Sequence, residues 1–456
     1  MPTFKHSATA ERARLVALVV LLAGCLLWGG GSRTDIASLS LLYPMAAISI
    51  ATVLLVPGPM RFEEVRTPLV CLAALGAIIA FQLLPLPPGL WMALPGRDAV
   101  LGSTMLVQPE PGWHPLSISP DLTLASLIAL LVPAAVLIGF AAVPRERTYQ
   151  LVPFLLAGVG LSIVVALLQI TGGDNSPFYV YRITNRGSAV GLFANRNHQA
   201  LFLAAALPLL ALWACQPSVE PQRQQLRRVL SAAAAIFLLP MLAVTGSRAG
   251  LILGLLGLVF AWFQFRTGCS KKAGTKGSRP LGRGAWIFAA AAAVVALGAA
   301  IMFSRAEAVD RLVAISLEDE LRLQYLPVVL RIVGDFMPFG TGFGSFDGLF
   351  RIYEPVDLLQ AQYLNHAHND LIELAMTGGV PALLVLAVFL VWLSRRGLAI
   401  VRDRSRERRV QFARLGLAQV VLILIASLFD YPLRTPLMAA LFVVAVGWVA
   451  GHRRIA

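Results

Sequence analysis

The run TYQLVPFLLAGVGLSIVVALLQI, residues 148–170, carries no charged side chain from one end to the other. A helix over it, rising ~1.5 Å per residue, is long enough to cross a hydrocarbon core ~30 Å thick. Helices and closed barrels alone satisfy their backbone in lipid, so a run of this length reads as a spanning helix. Working outward, comparable apolar runs occur at 14–31, 38–56, 68–87, 121–143, 190–214, 229–245, 249–266, 285–303, 378–395, 411–430 and 437–452. The sequence therefore predicts an all-α polytopic membrane protein with about 12 transmembrane helices. Composition agrees: 57% of the 456 residues are hydrophobic and 14% charged, against about 25% charged in soluble domains. Soluble, disordered and disulfide-scaffold classes are excluded. A formal charge of +14 would suggest nucleic acid in a soluble chain, but here the position of the basic residues carries the information. The partner expected from composition is the lipid bilayer, with no nucleic acid.

The first run lacks a small-residue cleavage site and is followed at once by a second, so it reads as a retained helix rather than a signal peptide. With the N-terminus inside, 26 of the 38 Lys and Arg residues, including every Lys, fall in cytoplasmic segments. The positive-inside rule then places both termini in the cytoplasm. Three regions follow. Residues 1–303 hold nine spans with short loops and an outer loop near 88–120. Residues 304–377 form one large periplasmic loop before the tenth span, and residues 378–456 hold the last three spans. Loops that long usually carry function. The basic stretch from Thr267 to Gly284 reads as a solvated inner linker. Cys25 and Cys71 lie inside spans, Cys215 at an inner end and Cys269 in an inner loop, so no Cys remains for an outer-loop disulfide.

Polar residues gather at three outer mouths of the bundle. The first cluster is Gly191-Leu192-Phe193-Ala194-Asn195-Arg196-Asn197-His198, where two amides, a guanidinium and an imidazole open an apolar helix. Such groups are costly at a membrane edge unless paired or functional, and free N–H groups at a helix start attract anions. The second is Thr245-Gly246-Ser247-Arg248-Ala249-Gly250, a tight turn whose glycines permit close approach to Arg248. Arg248 either snorkels to the interface or grips phosphate. The third runs from Tyr363 through Asn365, His366, His368, Asn369, Asp370 and Glu373 to Gly378-Gly379-Val380-Pro381. There a water-borne acceptor and a lipid-borne donor can meet. His is suited to general-base work near neutral pH, although an H-x-H pair on an extended segment could equally ligate a metal.

At these residues the chain resembles the O-antigen ligase and O-antigen polymerase superfamily of membrane glycosyltransferases. The likeness runs from about residue 88 onward. It is densest at Gly191, Phe193, Asn195, Asn197 and His198, at Ser247-Arg248, from Arg322 to Asp335-x-x-Pro338-x-Gly340-x-Gly342, and in a ligase-type signature at His368, Asn369 and Gly379. The last signature position is Ala382, a departure from the pattern. The resemblance implies a GT-C-like fold in the bacterial inner membrane and a periplasmic active site. It implies transfer of a glycan from an undecaprenyl-pyrophosphate carrier to a hydroxyl on lipid A core or another glycan, with inversion and without metal or cofactor. His368, His366 and Arg248 are then the candidate catalytic residues. Arg196, Asn195, Asn197, His198, Arg322, Arg186, Asn369 and Asp370 are the candidate substrate contacts. A polymerase of repeat units is the alternative. A lipid-linked glycan transporter fits less well, because the polar clusters lie at one surface and no internal repeat is visible.

Overall fold

A computed structural model describes residues 8–107, 112–218, 220–269, 317–359 and 364–452. The expected ninth span at 285–303, most of the inner basic linker, the start of the large loop and Tyr363 lie outside the described residues. The order of elements is α1 (Ala8–Trp28), α2 (Leu39–Leu55), α3 (Arg66–Gln82), β1 (Pro85–Leu86), α4 (Pro88–Met92), α5 (Asp98–Val107), β2 (His114–Pro115), α6 (Pro120–Ala129), α7 (Leu131–Ala142), α8 (Arg145–Thr148) and α9 (Leu151–Gly172). It continues with α10 (Arg196–Cys215), α11 (Pro221–Val244), α12 (Arg248–Gly268), α13 (Leu317–Phe336), α14 (Phe346–Tyr353), α15 (Asp370–Arg402), α16 (Arg408–Ala426) and α17 (Pro436–Ala450). The chain is an all-α polytopic membrane protein apart from the antiparallel β1–β2 pair. Among the described residues, seven helices are long and apolar enough to cross a membrane.

Helix α10 is the centre of the bundle. It is buried along nearly its whole length and packs against α9, α11, α12 and α16. Small residues set its closest approach. A Cβ on Gly257 would come 2.6 Å from the Ala204 carbonyl, and one on Gly250 would overlap Ala200, so α12 lies almost backbone to backbone against α10. The two helices are also joined at their far ends by a disulfide between Cys215 and Cys269, the two cysteines assigned to the inner side.

The span expected to start at residue 190 starts as a helix at Arg196. Gly191 sits at φ +57 and Asn195 stops the helix from extending backward by capping it, accepting from the Asn197 N–H at 2.8 Å. The same device opens three more helices. Ser247 caps α12, Asn369 caps α15 and Thr435 caps α17, each through a side-chain oxygen.

Helix α15 breaks at Gly379, at φ +59, one residue into the run expected as the tenth span. The break receives the turn that follows α13. Val380 N–H donates to the Pro338 carbonyl at 2.8 Å, Gly342 N–H to Thr377 at 3.0 Å, and Thr341 N–H to Met376 at 3.0 Å. The glycines of the Pro338-x-Gly340-x-Gly342 stretch are thus needed because two backbones cross there. Beside this crossing the segments around α4–α5 and α13–α14 share one apolar cluster, in which Trp91 and Val100 meet Ile332, Phe336, Phe346 and Phe350. The cap is pinned from below by Gln82 of α3, which donates to Thr377 O at 2.9 Å and accepts from Phe343 N–H at 3.1 Å.

Candidate functional site

The four helix caps face one end of the bundle, and two of them, Asn195 and Ser247, join in a single polar network. Ser247 Oγ–H donates to Asn197 Oδ1 at 2.7 Å, so the starts of α10 and α12 are tied together. The amides of Asn195 and Asn197 both donate to Asp430 Oδ2, at 3.0 and 2.8 Å, and the Tyr431 N–H donates to Oδ1 at 3.0 Å. Three N–H donors suit an acceptor-only carboxylate, and Asp430 is 4% exposed. His368 Nδ1 lies 3.3 Å from the other side of that carboxylate, at Oδ1. His368 has φ +49, the one described non-glycine residue in the left-handed region. Such strain persists where surrounding contacts over-determine the conformation.

A second carboxylate does the same for the other imidazole. Buried Glu373 receives His366 Nδ1 at 3.0 Å, the Ala367 N–H at 2.9 Å and Arg434 Nη2 at 3.0 Å. Arg434 also approaches Asp370 at 3.6 Å. Tyr431 stands between the pairs, its ring 4.4 Å from that of His366 and 4.9 Å from that of His368, with His198 edge-on at 5.4 Å. The two rings of the H-x-H pair are therefore held by different acids on either side of an aromatic ring.

They also face different spaces. His368 lines a polar cavity of about 850 Å³ walled by Arg33, Arg182, Arg196, Asn185, Asn195, Asn197, Trp28 and Tyr431, with Tyr325 of α13 above. His366 lines a second cavity of about 840 Å³ whose wall is mostly Leu, Ile, Ala and Pro, from Leu75 and Ile79 to Leu424 and Leu433, with Arg33, Arg434 and Asp370 at its polar end. The two spaces share the stretch Gly31-Ser32-Arg33, together with Asp35 and Asn365.

That shared stretch is delivered by the triplet Gly29-Gly30-Gly31 after α1. Gly29 O accepts from Leu437 N–H at 2.9 Å, Gly30 O from Ala194 N–H at 3.1 Å, and Tyr181 Oη accepts from Gly30 N–H at 2.7 Å. A Cβ on Gly30 would overlap the Leu192 carbonyl. Burial pushes the Tyr181 hydroxyl up to about 12, so it remains a neutral hydrogen-bonding group. Arg33 beyond the triplet grips Asp35 in two places, at 2.8 and 2.9 Å, and those hydrogen bonds hold the Asp35 carboxyl below the usual carboxylate range.

Of the residues singled out in the sequence, His368, Arg196, Asn195 and Asn197 meet at the polar cavity, and His366 and Asp370 at the apolar one. Asn369 is occupied as the cap of α15 and donates to Leu428 O at 3.0 Å. His198 is 1% exposed and lies behind Asp430, 3.8 Å from Oδ2, away from both cavity walls. Arg248 is half-buried at the start of α12, next to the Ser247–Asn197 bond, and is not a wall residue of either cavity. Arg186 points elsewhere, donating to Asp174 O at 2.9 Å and covering the Tyr179 ring. Arg322 falls on α13, and its side chain lies outside the described residues. Sequence reasoning assigned no role to Asp430, Tyr431 or Arg434, nor to the glycine triplet and Arg33. The signals available were an acid at the outer end of an apolar run and three consecutive glycines closing another.

No curated protein matches the chain. The family model described as O-antigen ligase matches residues 233–387, a stretch that holds Ser247-Arg248, the His366 and His368 pair and Gly379 but neither Asn195 nor Asp430. Over that stretch the chain is similar to the O-antigen ligase family.

Proposed function

We propose that this protein moves a glycan from an undecaprenyl-pyrophosphate carrier to a hydroxyl on lipid A core, in the manner of an O-antigen ligase. The reaction runs on the periplasmic face of the bacterial inner membrane, in a chain of twelve spans with both termini in the cytoplasm. The observation that carries the reading is the His368–Asp430 pair at the wall of an arginine-rich cavity. With Nδ1 committed to the carboxylate, Nε2 is the nitrogen left to take a proton.

The acceptor hydroxyl gives its proton to His368 Nε2 as its oxygen bonds to the anomeric carbon from the face opposite the leaving group. The bond from that carbon to the diphosphate oxygen breaks, and the carrier leaves as the diphosphate. Its growing charge is met by guanidinium groups rather than a metal; Arg196 lines the polar cavity, and Arg248, which walls neither cavity, and Arg322 are the other donors suggested by the sequence. Asn195 and Asn197 fix Asp430, and through it the imidazole. His366 with Glu373 and Arg434 supports the apolar side, where the lipid tail of a carrier fits a wall of aliphatic side chains. The test is deletion of the gene followed by glycolipid profiling. Loss of capped lipid A with long carrier-linked chains accumulating supports ligation. Loss of chain length alone favours polymerisation, and unchanged profiles overturn both.

A further inference from the structure

Arg33 borders both cavities and, among the described residues, is the one arginine that does so. Its position is fixed more tightly than its place in an inter-helix loop suggests, because the preceding glycine triplet is clamped by the starts of α17 and α10 and by Tyr181. One of its partners, Asp35, is weakly committed. Asp35 is two residues away and 52% exposed, and ion pairs at such exposure contribute little. A guanidinium that already makes a bidentate contact with a carboxylate has the geometry to make it with a phosphate instead. On the polar side Arg182 and Arg196 add positive charge, with Asp35 the single acid in that wall. On the apolar side begins the aliphatic wall.

We propose that Arg33 is the binding residue for the diphosphate head of the lipid carrier, exchanging Asp35 for phosphate oxygens where the polar and apolar cavities meet. This rests on the glycan-transfer reading given above and adds to it a residue and a place. The head sits at the Gly31–Asp35 stretch, its tail runs along the apolar cavity and its glycan extends into the polar one. The same chemistry could be offered by a phospholipid headgroup or free pyrophosphate, so the test must separate the sources.

The experiment measures binding of undecaprenyl diphosphate, without glycan, to the purified full-length protein in nanodiscs. Parallel arms use undecaprenol, phosphatidylglycerol and inorganic pyrophosphate. Wild type should bind undecaprenyl diphosphate, R33Q should bind it at least about tenfold more weakly, and undecaprenol should bind both equally. D35N, which removes the competing carboxylate, should bind the diphosphate several-fold more tightly and stands in if R33Q does not fold. H368A should bind as wild type does. Equal binding by wild type and R33Q, or weaker binding by D35N, overturns the role of Arg33 while leaving the transfer reading intact. Equal competition by phosphatidylglycerol or pyrophosphate shows a general anion site and overturns the assignment to the carrier. Failure of wild type to bind the carrier at all removes the transfer reading and this proposal with it.

Discussion

Asp430 turns His368 from a surface imidazole into an oriented one. Its carboxylate takes two side-chain amides and a backbone N–H before it meets the ring, so the acid cannot rotate without breaking several hydrogen bonds, and the imidazole cannot without breaking its bond to the acid. General-base catalysis contributes about 10²–10⁴-fold, so His368→Ala should lower turnover by that factor while carrier binding persists. His368→Gln should not restore it, since an amide cannot take a proton at neutral pH. Asp430→Asn should lower kcat by about 10²–10⁴-fold with the donor KM little changed, as expected for a group that orients a base. A near-normal rate in His368→Gln would reduce the imidazole to a positioning group, and a change confined to KM in Asp430→Asn would remove the orienting role. His368 was legible from the sequence as a candidate base. Asp430 was not, because its partners are 62 and more than 230 residues away and nothing local links them.

The elements explain which motif residues shape the backbone rather than touch substrate. Asn195, Ser247, Asn369 and Thr435 each begin a helix, and polar residues ahead of apolar runs are readable as caps. What the sequence does not show is that two of the caps, Asn195 and Ser247, are also tied into the network at the site. The Gly378-Gly379 pair was visible as the approach to a span, but the reason for it lies in a distant segment. A Cβ on Gly379 would overlap the Pro338 carbonyl, and the residue is at φ +59. Gly379→Ala should therefore cost about 2 kcal/mol or more, read as a lowered melting temperature in detergent. Gly334→Ala, in the last turn of α13 with open space around it, should be neutral or stabilising by up to about 1 kcal/mol. Equal destabilisation by the two substitutions would contradict the backbone crossing. The glycine triplet at 29–31 went unread for the same reason, since its contacts are with residues 181, 192, 194 and 437.

At the scale of the molecule, the charge pattern predicts which end faces the cytoplasm. A reporter active only in the cytoplasm should work when fused after Lys276 or Arg404 and fail after Glu320 or Tyr363. A signal from residue 320 or 363 would put both imidazoles in the wrong compartment. The helical class and the apolar runs were legible because lipid imposes one strong requirement on every span. The joint cap of the two outer loops was not, because its cluster pairs residues near 91–100 with residues near 325–350. The shared stretch from Gly31 to Asp35 has a further consequence for the order of events. Neither cavity lies behind the other: both are partly open, and they meet along a strip of main chain. On the proposed transfer, either substrate can then arrive first, and both must be present before a bond changes hands. Initial rates measured at varied donor and fixed acceptor should give double-reciprocal lines that intersect. Parallel lines would instead require the first product to depart before the second substrate arrives, with the sugar parked meanwhile on the protein.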